Sequence, residues 1–126
     1  MRRSSIFAVA ALLALTAPAF ADELSDAKDA IEAASLSTET DMTLWCAGAY
    51  SLALQFETDE AIKKTDDEMA TALFNKAVPL MTADKVADAD QAKLAQDFVV
   101  VVKSELVDKL ADPQHTQEEC AAAAKA

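Results

Sequence analysis

Two cysteines, Cys46 and Cys120, are the side chains of this sequence with the clearest chemistry. A thiol pair can act as a redox centre, as part of a metal site or as a structural bond. Redox and metal pairs usually sit close together, as in Cys-x-x-Cys, and reactive thiolates lean on neighbouring cations. Here 73 residues separate the two, and no basic residue adjoins either one. The expectation is one Cys46–Cys120 disulfide. In the chain-entropy account, closing a loop of this length is worth about 4–5 kcal/mol. That is a large share of the total stability of a small domain.

The other reactive groups are scattered. The single histidine, His115, precedes a helix-start pattern, and with Glu118 and Glu119 it forms the sharpest candidate for holding a cation. The simpler reading is that both glutamates favour a helix N-terminus. Carboxylates cluster at Glu57, Asp59 and Glu60, at Asp66, Asp67 and Glu68, and at Asp84, Asp88 and Asp90. A calcium loop needs several oxygens at set spacing, commonly with a glycine at the turn. The stretch 84–97 has neither, so these acids read as helix starts and solvated faces. Neither Gly-x-Ser-x-Gly nor Ser-x-x-Lys is present, and nothing marks a hydrolytic carboxylate pair. No catalytic residue, metal site or cofactor is expected. A metal carrier or small enzyme is the least supported class. Met42, Trp45, Tyr50, Phe56, Phe74 and Phe98 remain as candidates to line an apolar pocket, although at helical spacing such residues usually form ordinary core.

The N-terminus tells where this chemistry would take place. Arg2 and Arg3 precede an apolar run from Ile6 to Leu15, Pro18 breaks it, and Ala19-Phe20-Ala21 is a small-x-small cleavage site. These are the parts of a secretory signal peptide, with cleavage expected after Ala21. The apolar run is too short to span a bilayer, and no cysteine near the site offers a lipid attachment point. The periplasm is the expected location, with secretion beyond it as the alternative. There a disulfide is stable.

Residues 22–126 then form a single domain. Of the 126 residues, 21 are removed and 105 remain. The leader holds two of the 11 basic residues and none of the 22 acidic ones, so the net charge moves from −11 to −13. Such an excess repels nucleic acid phosphates and anionic membrane surfaces.

Composition and periodicity point to an all-α fold, a compact bundle of four to five helices closed by the disulfide. Residues 22–126 hold one glycine and two prolines, and no Asn-Gly or Asp-Gly hairpin signal occurs. Leu24, Ala27, Ile31 and Ala34 make a thin stripe on a first helix over 23–34. A second, over 41–56, is capped by Thr38 or Thr40 and is apolar around so much of its surface that it reads as the central helix. A third lies within 59–78, with a possible fresh start at the Thr65–Glu68 capping box and an end or kink before Pro79. A fourth runs from Asp84 or Asp88 to Leu110, where Val99–Val102 favour a strand locally but the helical period continues on both sides. Thr116 and Glu119 open a short C-terminal helix.

Small residues surround both cysteines: Ala47, Gly48 and Ala49 follow Cys46, and Ala121 follows Cys120. A disulfide requires close Cα atoms, and small side chains permit it. The expectation is that the C-terminal helix crosses the second helix near Cys46 and Gly48. This outline of a small, exported, all-helical protein with one disulfide resembles the HdeA-type acid-stress chaperones of enteric periplasms. The resemblance covers architecture, with only the unspecific Trp45-Cys46 neighbourhood to quote, and transfers no functional residue. It implies a chaperone that exposes apolar surface when acid protonates its carboxylates. The leading expectation is a non-enzymatic accessory or stress-type protein that binds a protein partner or a small apolar ligand in an inter-helical groove.

Overall fold

A computed structural model describes residues 18–126. Five helices follow one another: α1 (Pro18–Ala34), α2 (Thr38–Phe56), α3 (Glu60–Ala83), α4 (Asp88–Leu106) and α5 (Gln117–Lys125). Among the described residues there is no strand, so the architecture is all-α. Most of the expected leader, 1–17, lies outside the described residues, and the expected cleavage point falls near the start of α1.

α2 is the central helix, as its wide apolar surface foretold. Leu44, Trp45, Cys46, Ala47, Ala49, Tyr50, Leu52 and Ala53 are all buried, and α2 packs against α3, α4 and α5. Around it lie Ala70, Leu73, Ala77 and Met81 of α3, Leu94, Phe98, Val102 and Leu106 of α4, and Cys120 and Ala123 of α5. The start of α2 differs from expectation. Ser37 is its N-cap, with the hydroxyl accepting the Thr40 N–H at 3.3 Å, while Thr38 and Thr40 are already helical.

α3 is one continuous helix with Pro79 inside it, so there is no fresh start at Thr65, and of the expected end or kink before Pro79 the end is corrected. Asp59 caps it by accepting the N–H groups of Ala61 and Ile62 at 2.9 and 3.3 Å. Ile62 is already buried, so packing begins six residues before the Glu68 that suggested a restart. The Thr65 hydroxyl instead donates back to the Ala61 carbonyl at 3.2 Å. Pro79 removes one donor, but Asn75 and Pro79 are exposed, so water can serve the carbonyl left without its helical partner. The turn beyond is anchored by buried Met81 and by a Schellman-type end in which Val86 N–H reaches the Met81 carbonyl and Lys85 N–H the Thr82 carbonyl. Lys85 occupies the left-handed position of that motif, φ 68°, usually a glycine's place.

The valine run Val99–Val102 is helical within α4. Tertiary packing overrides its local strand preference, since Val101 and Val102 are buried and Val102 faces Gly48 of α2. α4 ends at Leu106, four residues short of the expected Leu110, which is 60% exposed. The helix closes with Lys109 in the left-handed region, φ 58°, and with the N–H groups of Asp108 and Leu110 donating to the Lys103 and Ser104 carbonyls at 3.1 and 2.9 Å; Gln114, in the following loop, bonds to Glu105 through both its backbone and its side chain.

The Cys46–Cys120 disulfide is present, with Cα atoms 5.2 Å apart. The expected capping box at Thr116 and Glu119 is complete, and Lys76 of α3 donates to the Ala123 carbonyl at 3.1 Å near the far end of α5. Gly48 has a different reason from the one expected. A Cβ there would meet Val102 Cγ2 at 3.3 Å and the α4 backbone at Phe98 and Val99 at 3.5 Å. Gly48 therefore serves the close crossing of α2 with α4 rather than with α5. Ala47 and Ala49 are fully buried and Ala121 half-buried.

Candidate functional site

The six residues proposed to line an apolar pocket separate. Trp45, Tyr50 and Phe98 are buried in the core, and Met42, Phe56 and Phe74 pack against it half-buried. Only Phe98 of the six lines any of the three clefts described below.

The open spaces lie along α1. Among the described residues this helix packs closely on α4 alone of the other helices, with Ala27 buried and Leu24, Ile31 and Ala34 half-buried. A narrow apolar stripe holds it to a single neighbouring helix, so its flanks stay unfilled. One flank carries two clefts. The first has a volume of about 510 Å³ and lies between Ala30, Ala33 and Ala34 on one side and Val86, Asp90 and Leu94 on the other. The second, about 660 Å³, lies between Asp22, Glu23 and Asp26 and the Gln96 and Val100 side of α4. Lys93 and Asp97 line both. The opposite flank carries a smaller cleft of about 270 Å³, lined by Ile31, Glu32, Asp41, Phe98, Val101 and others.

Lys93 and Asp97 are one helical turn apart on α4, and the ammonium donates to Asp97 Oδ1 at 2.8 Å. That bond, with the nearby charge of Asp97, raises the Lys93 pKa, so this side chain stays cationic. Asp97 is only 6% exposed. Its second oxygen, Oδ2, is buried with no hydrogen-bond partner among the described residues. A buried carboxylate oxygen without a donor is costly and uncommon.

A second polar cluster sits where α2, α4 and the α4–α5 loop meet. Glu105, almost fully buried, accepts from Trp45 Nε1 at 3.0 Å, from the Gln114 backbone N–H at 3.2 Å and from Gln114 Nε2 at 2.7 Å. The His115 ring meets the Trp45 indole edge-on, with centroids 5.3 Å apart. Burial raises the Asp41 pKa, and the charge of His115 opposes that rise. His115 Nδ1 lies 3.6 Å from Glu119 Oε1, an oxygen that already accepts the Thr116 N–H in the α5 capping box. His115 and Glu119 thus meet, but as part of a helix cap. No group of three His, Cys, Asp or Glu side chains suited to a metal ion occurs among the described residues.

The acid clusters resolve individually. Asp59 caps α3, and Glu57 accepts the N–H groups of Thr58 and Asp59. Asp84 accepts the Ser37 N–H at 2.9 Å, and hydrogen bonds from Thr40 and Ser37 hold its pKa below the usual carboxylate value. Asp66 is fully buried on α3, which corrects its expected place on a solvated face. Sequence reasoning passed over Lys93, Asp97, Glu105 and Gln114. A signal for the two acids was present: Asp97 lies three and four residues from Leu94 and Val101, and Glu105 three and four from Val102 and Val101, all of them buried. A carboxylate seated in an apolar row of a helix is a buried carboxylate that needs a partner.

No family model, curated protein or solved structure matches this chain. None of the helices among the described residues is long and apolar enough to cross a membrane.

Proposed function

We propose that this protein is exported to the periplasm through cleavage after Ala21 and works there as a non-enzymatic binding protein of accessory or stress type. Its ligand is a small molecule with an apolar part, held in the groove between α1 and α4. The observation that carries the reading is the packing of α1 on one neighbour only, which leaves the two adjoining clefts open along one flank. The first of these clefts, about 510 Å³, has the size of an ordinary small-molecule site and an apolar wall of Ala30, Ala33, Ala34, Val86 and Leu94. Outside this groove Asp59, Thr116 and Glu119 are engaged in helix caps and Glu105 in its clasp with Trp45 and Gln114, which supports binding over catalysis.

The export reading rests on the leader pattern and agrees with a formed disulfide. It also suits the charge on α1. In the full-length helix no acid lies in the first turn. Cleavage after Ala21 makes Asp22 and Glu23 the start of the helix, where acids favour the dipole. Native mass spectrometry of protein purified gently from its own periplasm tests the whole reading. The expected spectrum is a chain beginning at Asp22, two hydrogens lighter than the reduced form, with a fraction carrying a small ligand. An intact leader refutes export. A protein that binds no member of an amphiphile library refutes the groove.

The thin seating of α1 also favours a second reading, the acid-activated chaperone. Protonation of the many carboxylates would loosen α1 and uncover Leu94, Phe98 and Val101 on α4. Suppression of client aggregation at pH 3 but not at pH 7 is the result that would select it.

A further inference from the structure

The connector between α1 and α2 holds a strained residue at a place where the chain could run straight. Ser35, Leu36 and Ser37 are the only residues between the two helices. Ser35 sits in the left-handed region, φ 51°, which a residue with a Cβ occupies only at a cost. Ser37 holds the turn: its N–H reaches Asp84 Oδ2 at 2.9 Å and its hydroxyl caps α2. Nothing in the sequence forces the turn, since residues 22–47 contain neither glycine nor proline. A straightened connector gives up the Ser37 cap and gains the helical bonds of three residues, joining α1 and α2 into one helix. Short hinges under strain are the kind that invite domain swapping.

The helix ahead of the hinge is a unit that can be exchanged whole. Among the described residues it packs closely on α4 alone of the other helices. Its seat is the side of α4 that bears Leu94, Phe98 and Val101. That seat already fits the α1 of a second copy, because the two copies carry the same helix. We infer that two copies of this chain exchange α1, forming a domain-swapped dimer in which α1 of each copy lies on α4 of the other. Every α1–α4 contact of the single chain is kept, and two strained turns are relieved. Each groove is then completed by the second copy: one chain supplies the Ala30 and Ala34 wall, the other the Val86 and Leu94 wall. Closure within one chain competes at an effective concentration of about the millimolar range for a short linker, and the strain at Ser35 lowers it. The proposal goes beyond the groove reading and depends on no ligand.

The test is sedimentation equilibrium of the purified protein, as its host processes it, over a range of concentrations. Salt at about 0.15 M screens the repulsion between two acidic chains. The wild type is expected to become half dimeric between about 0.1 and 1 mM. Ser35→Gly should weaken dimerisation by at least about tenfold, because glycine takes the left-handed turn freely and two hinges are relieved in each pair of monomers. Ser35→Ala combined with Ser37→Ala should strengthen it by at least about tenfold, because the cap is lost and alanine favours the joined helix. Far-UV circular dichroism checks that each variant is folded. A dimer formed through an outer face would be indifferent to the hinge, so equal dimerisation of all three proteins overturns the exchange. A wild type that stays monomeric at about 1 mM overturns it as well.

Discussion

Glu105 offers the sharpest test of how the bundle is held together. Its carboxylate accepts three N–H groups, one from the Trp45 indole and two from Gln114. Trp45 is fully buried, so its donor has no water to fall back on if that acceptor goes. Leaving a buried donor without its acceptor costs about 1–3 kcal/mol. The two Gln114 bonds are part-buried and add less, about 0.5–1.5 kcal/mol together. Glu105→Ala also leaves a small void, so the expected loss is about 3–4 kcal/mol. Glu105→Leu fills the void but keeps the polar defect, and should lose about 2–3 kcal/mol. Glu105→Gln retains an acceptor for Trp45 and should lose only about 1 kcal/mol. The assay is urea unfolding followed by far-UV circular dichroism, with a double-mutant cycle against Trp45→Phe. A coupling energy of about 1–3 kcal/mol is expected between Glu105 and Trp45. Coupling below about 0.5 kcal/mol, or Glu105→Gln as damaging as Glu105→Ala, would refute the clasp.

Three further expectations follow from the same packing. Cys46→Ala with Cys120→Ala should lower stability by up to about 4–5 kcal/mol in urea melts, and an unchanged midpoint would mean that α5 is held by packing alone. Gly48→Ala should stay within about 1 kcal/mol, because better helix propensity offsets the 3.3 Å approach to Val102, whereas Gly48→Val should lose about 2 kcal/mol or more by pressing on the α4 backbone. Two aspartates should act with opposite sign on the pH dependence. The pKa of Asp84 is lowered by its bonds to Thr40 and Ser37, so its contribution is present above the unfolded value near 4 and is lost as pH falls through the lower folded value. Asp84→Asn should flatten the acid limb of a stability profile. The pKa of Asp41 is raised by burial, so the folded state carries a cost at neutral pH that protonation relieves. Asp41→Asn should therefore help more at pH 7 than at pH 3, and equal effects at both would contradict the assignment.

Much of this molecule follows from local chemistry. The absence of hairpin signals, the helical spacing of apolar residues and the Thr116–Glu119 box determine an all-helical chain and the start of α5. The broad apolar surface of α2 determines its central place, because only burial on several sides satisfies it. With two cysteines only one intramolecular pairing exists. Helix ends were less legible, because packing outvotes local signals. Buried Ile62 and Met81 carry α3 past Thr65 and Pro79, and α4 stops before Leu110, where Lys109 turns left-handed and Leu110 N–H closes back on the Ser104 carbonyl.

The groove belongs to the tertiary structure. Nothing in the spacing of Leu24, Ala27, Ile31 and Ala34 says that the helix bearing them would find a single neighbour. Gly48 shows the same division: its presence in a helix announced a close approach, but only the fold decided that α4, not α5, makes it. The carboxylates divide in the same way. Their number and negative sum are properties of the sequence. Which of them is solvated, which caps a helix and which is buried beside a cleft depends on the neighbours that folding supplies. Asp97 and Asp90 are both acids of α4, yet Asp90 is exposed and Asp97 is buried beside α1.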